Sequence, residues 1–164
     1  MKRQKHVSVV VTREVNRVKQ ILLVSEKVDT IDSAWSQASV EVFSLPNEIC
    51  LHQDAPDAAK VLVKDLVHED FIDEMSFPLV PSHILPASVD WESYVVLGSV
   101  TDGAKSDEPC TESSNDNLYW MSVQEAYFRL IKQLVHGEKF MDDKYIDLES
   151  MVALSVLKTM GILG

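Results

Sequence analysis

The chain has 164 residues, a size typical of one domain, and its 46% hydrophobic and 25% charged residues are typical of a globular rather than a disordered protein. The net charge of −11 disfavours binding to nucleic acid or to anionic membranes, because both repel an acidic protein. No apolar run reaches the roughly 20 residues of a membrane span, and no signal peptide is recognisable, so we expect an intracellular, cytoplasmic protein. The two cysteines, Cys50 and Cys110, lack zinc-site spacing and are predicted to be free thiols.

The first strands are predicted from β-branched runs. Residues 6–13 and 18–25 predict a hairpin with a short polar connection. Residues 26–38 are polar and are predicted to be irregular. Residues 40–43 predict a short strand, which the segment containing Pro46 ends.

A helix is predicted over residues 55–69. Asp54 is a plausible N-cap, and Pro56 suits the first helical turn. Four apolar side chains recur at helical spacing and predict the buried stripe of this helix: Ala59, Leu62, Val63 and Leu66.

The second half of the chain predicts two strands around a loop. Residues 76–88 contain three prolines and predict a loop or an edge strand, whereas residues 91–100 predict a buried strand. Residues 101–117 are rich in polar residues, Gly, Pro, Ser and Asn, and predict a mobile acidic surface loop. Residues 118–121 predict the last strand.

Two helices are predicted after the last strand. Ser122 and Glu125 have the spacing of a capping box, and Gly137 is a stop signal at the other end. The apolar stripe of this helix is predicted to contain Ala126, Leu130, Ile131 and Leu134. Residues 145–161 predict a terminal helix.

Several of these segments, in this order, resemble the Nudix hydrolases, and particularly their ADP-ribose and ADP-sugar pyrophosphatase branch. They are SLPNE (44–48), DAPDAAKVLVKDL (54–66), ILPASVDWESYVVLGSV (84–100) and the C-terminal part 119–161. The most specific residues lie in the last segment: Trp120, Ser122 through Gly137, Asp142 or Asp143, Ala153 and Leu154. The resemblance implies a single domain over residues 1–164, of class α+β, with a Nudix-like α/β/α sandwich around a mixed β-sheet. It also implies a homodimer, since relatives in this branch are commonly dimeric.

The sequence departs from the family pattern in the metal-binding motif. The family motif contains Arg-Glu-apolar-x-Glu-Glu-x-Gly, whose glutamates hold a divalent metal against a pyrophosphate. The simpler alignment puts five residues of this chain at the conserved positions: Val61 at the arginine, Leu62 at the first glutamate, Asp65 and Leu66 at the glutamate pair, and His68 at the glycine. One carboxylate remains, and the upstream glycine of the motif is also absent.

A second alignment, shifted along the helix, puts Lys64 at the arginine and Asp65, His68 and Glu69 at the acidic positions. On a continuous helix, Asp65, His68 and Glu69 would share one face and would be the candidate metal ligands. The alternative for these side chains is an ordinary solvated helix face.

Further candidate residues lie in the loop and on the strands. In the ADP-ribose branch a catalytic glutamate comes from the loop before the last strand, where this chain has Asp107, Glu108 and Glu112. Trp91 and Tyr94, and also Tyr119 and Trp120, are candidates for stacking an adenine, although aromatic residues on strands are commonly core residues. We predict Trp91, Tyr94 and Glu112 as ligand-binding residues.

The expected function is that of a Nudix-fold protein without a competent metal-binding motif. Such a protein would be a non-catalytic module that binds a nucleotide, a nucleotide-sugar or a protein, and it would need no cofactor. The alternative is a hydrolase of ADP-ribose-like nucleoside diphosphate derivatives that uses Mg²⁺ or Mn²⁺. That enzyme would use Asp65, Glu69 and Glu108 for catalysis and Asp65, His68 and Glu69 for the metal.

Overall fold

The computed structural model describes residues 3–31, 37–51, 53–100 and 117–163. The described part of the chain forms strands and helices in the following order: β1 (Gln4–Val15), β2 (Val18–Ile31), β3 (Gln37–Ser44), β4 (Asn47–Cys50), α1 (Ala55–Val67), β5 (Phe71–Pro78), a 3-10 turn (Ser82–Ile84), β6 (Trp91–Val100), β7 (Leu118–Ser122), α2 (Val123–His136) and α3 (Leu148–Thr159). No helix within these ranges has both the length and the apolar character needed to cross a lipid bilayer.

The strands form one mixed sheet in the order β3-β2-β1-β6-β5, in which β4 also pairs with β1 and β7 also pairs with β2. β1 and β6 are parallel, and the other pairings are antiparallel. Along one edge of β1, residues 5–8 pair with β4 and residues 12–15 pair with β2. β2 therefore diverges from β4, and the connection around Pro46 lies between them.

The predicted hairpin is confirmed. β1 and β2 are joined by the two-residue turn Asn16–Arg17, whose positive φ angles of 51° and 66° match the twist of the flanking strands. β2 is longer than predicted, so the expected irregular structure at 26–38 is wrong for residues 26–31 and 37–38. Pairing with β3 stabilises this extension, in which Lys27 is exposed and its neighbours Glu26 and Val28 are only half-buried.

The helices cover both faces of the sheet. α1 packs on a core that contains Val9, Val11 and Val96, whereas α2 and α3 pack on a core that contains Val10 and Leu97. Alternate residues of the same strands supply the two cores, as expected for a sheet buried on both faces. The predicted α/β/α sandwich around a mixed sheet, of class α+β, is confirmed, with α1 and α3 on opposite faces.

The buried stripes of two helices differ from the prediction. α1 buries Ala55, Ala58, Ala59 and Val63, so Leu62 and Leu66 lie only half-buried at the edge of the core. α2 buries Val123, Ala126, Tyr127 and Leu130 and leaves Ile131 and Leu134 exposed. The buried face of α1 is therefore made mainly of alanines, and that of α2 is shifted towards the N-terminal half of the helix.

Two further strands were not predicted. β4 is only four residues long, and β5 is an edge strand with mostly exposed side chains, so neither has a strong apolar pattern. The predicted loop or edge strand at 76–88 includes residues 76–78, which form the end of the edge strand β5. Next to it, β5 has a bulge between Asp73 and Met75 opposite Gly98.

Gly98 allows β5 and β6 to approach closely. A Cβ atom at this position would lie 2.3 Å from the carbonyl oxygen of Ile72 and 2.4 Å from Cζ of Phe71. The Phe71 ring therefore occupies the space that a side chain at position 98 would take, and it closes the core beneath α1.

Candidate functional site

Helix α1 begins as predicted and ends two residues earlier than predicted. Asp54 is the N-cap, and its carboxylate accepts a hydrogen bond of 3.0 Å from the backbone N–H of Asp57. The helix ends at Val67. His68 follows in the left-handed conformation, with φ of 59° and ψ of 30°, and its N–H donates to the carbonyl of Lys64.

This helix end changes the geometry of the predicted metal ligands. Asp65 is exposed on the last turn, whereas His68 and Glu69 follow the helix. The expectation that Asp65, His68 and Glu69 share one helical face is therefore wrong. Within the described ranges, no three His, Cys, Asp or Glu side chains lie close enough together to hold a metal ion. The roles of the three residues as metal ligands stay predictions.

A cleft of about 220 Å³ lies beside the other face of α1, where β2 diverges from β4. Its described lining includes Leu62 and Leu66 from α1, Ser25 and Glu26 from β2, Asn47 at the start of β4, and Asn117 before β7. The two leucines are the half-buried residues at the edge of the core, so the α1 wall of the cleft is apolar.

The polar groups of this cleft are few. Glu26 is the charged residue of the described lining. The amide of Asn47 is held in place, because its Nδ2 donates to the carbonyl of Leu45 at 2.9 Å. The hydroxyl of Ser25 accepts a hydrogen bond of 3.2 Å from Nζ of Lys144. Both side chains bond towards the α3 face of the sheet, since Oδ1 of Asn47 lies 3.4 Å from Nε2 of His6, and Lys144 lies over the ring of Phe43. The cleft therefore offers the carboxylate of Glu26 beside an apolar wall and is poor in ligands for Mg²⁺.

The predicted aromatic residues do not form one platform. Trp91 is half-exposed and lines a groove of about 240 Å³ together with His6, Ile49 and Glu149, on the side of α3. Tyr94 packs against the core beneath α1, and its hydroxyl donates to Glu92 at 2.9 Å. Because these residues lie on opposite faces of β6, they cannot stack on the same adenine.

The other two aromatic candidates have packing roles. Trp120 is buried, with the guanidinium of Arg13 4.2 Å from the ring centroid. Tyr119 contacts Phe43 edge to face, with ring centroids 5.2 Å apart. These contacts join β7 to the rest of the sheet. Glu108 and Glu112 lie outside the described residues.

A polar cluster that no sequence motif predicted lies near Trp91. Nδ1 of His6 on β1 contacts Oε2 of Glu149 in the first turn of α3, and the hydroxyl of Ser93 on β6 donates to Oε1 of Glu149 at 2.5 Å. The hydrogen bond to Glu149 raises the pKa of His6. Burial raises the pKa of Glu149, but the bonds from His6 and Ser93 outweigh it and leave that pKa lowered. Residues so distant in sequence form no local motif, so only the folded chain brings them together.

Comparisons with known proteins identify the fold. No protein-family model matches the sequence, and neither does any curated protein. Among solved structures, the chain is similar to RenU, a Nudix hydrolase from M. smegmatis, with a TM-score of 0.56 and 11% identity over 98% of this chain and 88% of that one. It is also similar to a Nudix hydrolase from Nitrosomonas europaea, with a TM-score of 0.54 and 13% identity over 98% and 90% of the two chains. At such low identity these likenesses show the fold alone.

Proposed function

This chain has the Nudix fold, and we propose that it is a non-catalytic binding module whose α1 cleft does not hold a catalytic divalent metal. The observation that carries the proposal is the position of Leu62 and Leu66 on the α1 wall of the cleft. In the simpler alignment with the family motif, these leucines stand where metal-binding glutamates are found.

The end of α1 supports that alignment. The alignment gives the glycine of the motif to His68, and His68 is the left-handed residue that ends the helix. Glycine is the usual residue at such a position, because it adopts positive φ without strain. The shifted alignment instead gives the glycine to Phe71, which begins β5 and buries its ring in the core.

The chemistry of the cleft follows from this assignment. Mg²⁺ prefers oxygen ligands, and leucine side chains supply none. Without metal-borne stabilisation of the developing charge, a pyrophosphate hydrolase forfeits several kcal/mol of transition-state binding, which corresponds to orders of magnitude in rate. The cleft retains the carboxylate of Glu26 beside an apolar wall, an arrangement suited to binding without turnover.

The charge of the cleft bears on its ligand. The described lining contains Glu26 and no cation, so the described residues offer no neutralising partner to a nucleotide phosphate at this place. This favours a protein or an uncharged ligand over a nucleotide or nucleotide-sugar in the α1 cleft. Homodimerisation is part of the proposal, and the mass measured by light scattering over a range of protein concentrations tests it.

The first experiment measures catalysis. We expect the purified chain to hydrolyse ADP-ribose no faster than a blank in Mg²⁺ or Mn²⁺. Metal-dependent turnover that disappears in Asp65→Ala or Glu69→Ala, and persists in the matched control Asp57→Ala on the first turn of α1, would contradict the proposal. It would establish the alternative of an enzyme that uses non-standard carboxylates.

The second experiment restores ligands to the cleft. Leu62→Glu combined with Leu66→Glu should make the melting temperature rise with Mn²⁺, because a metal that binds only the folded state stabilises it. Val61→Glu adds a carboxylate at an exposed position of the same helix and should show no such rise. If the double variant does not fold, Leu62→Glu alone serves. A clear Mn²⁺-dependent rise in the unmodified chain would contradict the proposal.

A further inference from the structure

A second and larger groove lies on the face of the sheet opposite α1. It has a volume of about 600 Å³ and runs from the β1–β2 turn past the beginning of α2 to the end of α3. Its lining includes Arg17, Lys19, Ser122, Tyr127, Phe128 and Lys158. Tyr127 belongs to the core beneath α2 and α3, so this groove is separate from the α1 cleft.

Three cations converge on this groove in a chain of net charge −11. Within the described part of the chain, Arg17, Lys19 and Lys158 form no ion pair with a carboxylate. Five of the other lysines in the described part of the chain each pair with a carboxylate: Lys60, Lys64, Lys132, Lys139 and Lys144. The groove is therefore a local concentration of uncompensated positive charge, which attracts anions.

The nearby described carboxylates form no ion pair with these cations. Glu14 lies opposite Lys19 in the register of β1 and β2 but forms no ion pair with it. Glu125, in the first turn of α2, is bound to Nε of Arg129 at 2.7 Å. An anion in the groove would consequently meet the three cations without displacing an existing salt bridge.

The beginning of α2 adds a partial positive charge. Ser122 is the N-cap, and its hydroxyl accepts a hydrogen bond of 3.1 Å from the N–H of Glu125. Val123 and Gln124, the first two residues of this 14-residue helix, line the groove. The first N–H groups of a helix have no partner within the helix, and they favour anions together with the helix dipole.

Tyr127 supplies an independent sign of a ligand. Its side chain is only 5% exposed, and its hydroxyl is buried without a hydrogen-bond partner among the described residues. Nearly all buried polar groups in proteins are hydrogen-bonded, so such a hydroxyl calls for an explanation. Nζ of Lys158 lies 4.7 Å from the centre of the same ring. The ring of Tyr127 and the ammonium group of Lys158 are therefore neighbours in the wall of the groove.

The remaining wall of the groove is apolar. Phe128 is 58% exposed on α2, and Val18 and Ile131 are also exposed beside it. Exposed apolar side chains next to clustered cations suit a ligand that is charged at one end and apolar at the other.

We propose that this groove binds a small aromatic anion, with a phosphate or carboxylate group held by Arg17, Lys19, Lys158 and the beginning of α2, and an aromatic ring held against Phe128. The hydroxyl of Tyr127 donates to the anionic group. The site does not depend on the α1 cleft or on the absence of catalysis there.

Titration calorimetry with the full chain tests the site, with phenyl phosphate, phenylacetate and inorganic phosphate as probes. We expect at least one aromatic anion to bind at low ionic strength, and inorganic phosphate to bind more weakly because it lacks the ring. Whichever of phenyl phosphate and phenylacetate binds more tightly shows whether the groove prefers a phosphate or a carboxylate group. Arg17→Gln combined with Lys158→Gln should lower the affinity about ten-fold or more. Lys60→Gln combined with Lys64→Gln makes the same change in net charge on α1, on the opposite face of the sheet, and should leave the affinity within about two-fold.

Tyr127→Phe separates a binding role from a packing role, because it removes the hydroxyl and keeps the ring. We expect the melting temperature of the free chain to stay the same or rise, since a buried hydroxyl without a partner is removed, while the affinity for the aromatic anion falls. If neither aromatic anion binds at about 5 mM, a concentration well above the dissociation constant expected of a specific site, the proposal is overturned. Equal affinity in the groove variant and the matched control would also overturn it.

Discussion

Glu149 in the first turn of α3 accepts hydrogen bonds from His6 on β1 and from Ser93 on β6, so one carboxylate ties the C-terminal helix to two central strands. The side chains of His6 and Glu149 are 25% and 23% exposed. The pair is therefore screened less than a surface salt bridge, and each partner shifts the pKa of the other towards its charged form.

This pair should make stability depend on pH. The pKa of His6 is raised above 6.5, so its contribution is complete below that value and is lost as the pH rises through the folded-state pKa. The pKa of Glu149 is lowered below 4.5, so its contribution is complete above that value and is lost as the pH falls through the folded-state pKa. Both contributions are complete between pH 4.5 and 6.5.

Urea unfolding of Glu149→Gln measures the effect. We expect a loss of about 1–2 kcal/mol at about pH 5.5 and a smaller loss at about pH 8.5, where less of His6 is protonated. Glu125→Gln removes the partner of Arg129 on α2 and serves as a control whose cost should change little between these pH values. An equal cost of Glu149→Gln at both pH values would show that charge on His6 does not contribute.

Gly98→Ala should destabilise the fold. The new methyl group would overlap the carbonyl oxygen of Ile72 and the ring of Phe71, so β5 or Phe71 must shift. Overpacking of this kind costs about 1–3 kcal/mol in the free energy of unfolding. The neighbouring change Ser99→Ala introduces no atoms and should cost less than about 1 kcal/mol. Chemical denaturation of the two variants compares them, and equal stability would contradict the close approach of β5 and β6.

His68→Gly should stabilise the fold by up to about 1 kcal/mol, because glycine adopts the left-handed conformation without the strain that a Cβ atom causes. The same substitution at the last residue of α2, His136→Gly, should destabilise by about 1 kcal/mol, because glycine is a poor helix former. Thermal unfolding gives the sign of each change. If His68→Gly destabilises, the simpler alignment loses its support.

Leu154→Ala should be much more costly than Leu62→Ala. Leu154 is fully buried on the face of α3 that packs on the sheet, and its truncation should cost about 2–5 kcal/mol. Leu62 is half-buried at the cleft, and its truncation should cost about 1 kcal/mol. Val152→Ala, at an exposed position of the same helix as Leu154, is the control and should cost less than about 0.5 kcal/mol. Equal losses for Leu154 and Val152 would contradict the placement of α3.

The predictable parts of the fold are those with strong local signals. The β-branched runs of β1 and β6, the cap formed by Asp54 and the capping serine at 122 identified strands and helices close to their observed bounds. β5 was missed because an edge strand exposes most of its side chains and therefore lacks alternation. The part of β2 beyond residue 25 was also missed, since it begins with a charged pair, Glu26 and Lys27, of which Lys27 is exposed.

The candidate sites were less predictable than the fold. The alignment placed Leu62 and Leu66 at metal-binding positions of the family motif, but only the structure shows that both line a cleft together with Glu26 from β2. The basic groove combines a hairpin turn, the beginning of one helix and the end of another, and such a set has no spacing in the sequence. Asp65, His68 and Glu69 looked like one helical face because the end of α1 carries no glycine to mark it.

The pairing of β1 with β6 has a consequence for the rate of folding. Gln4 lies opposite Trp91, so the middle of the sheet forms only after β2 to β5 and α1 have been enclosed in a long loop. Contacts between such distant segments slow folding relative to helical proteins of the same size. Before β6 pairs with β1, Val9, Val10 and Val11 lie on an unpaired apolar strand edge. Partly folded chains associate through edges of this kind. Refolding should therefore become less efficient as the protein concentration rises.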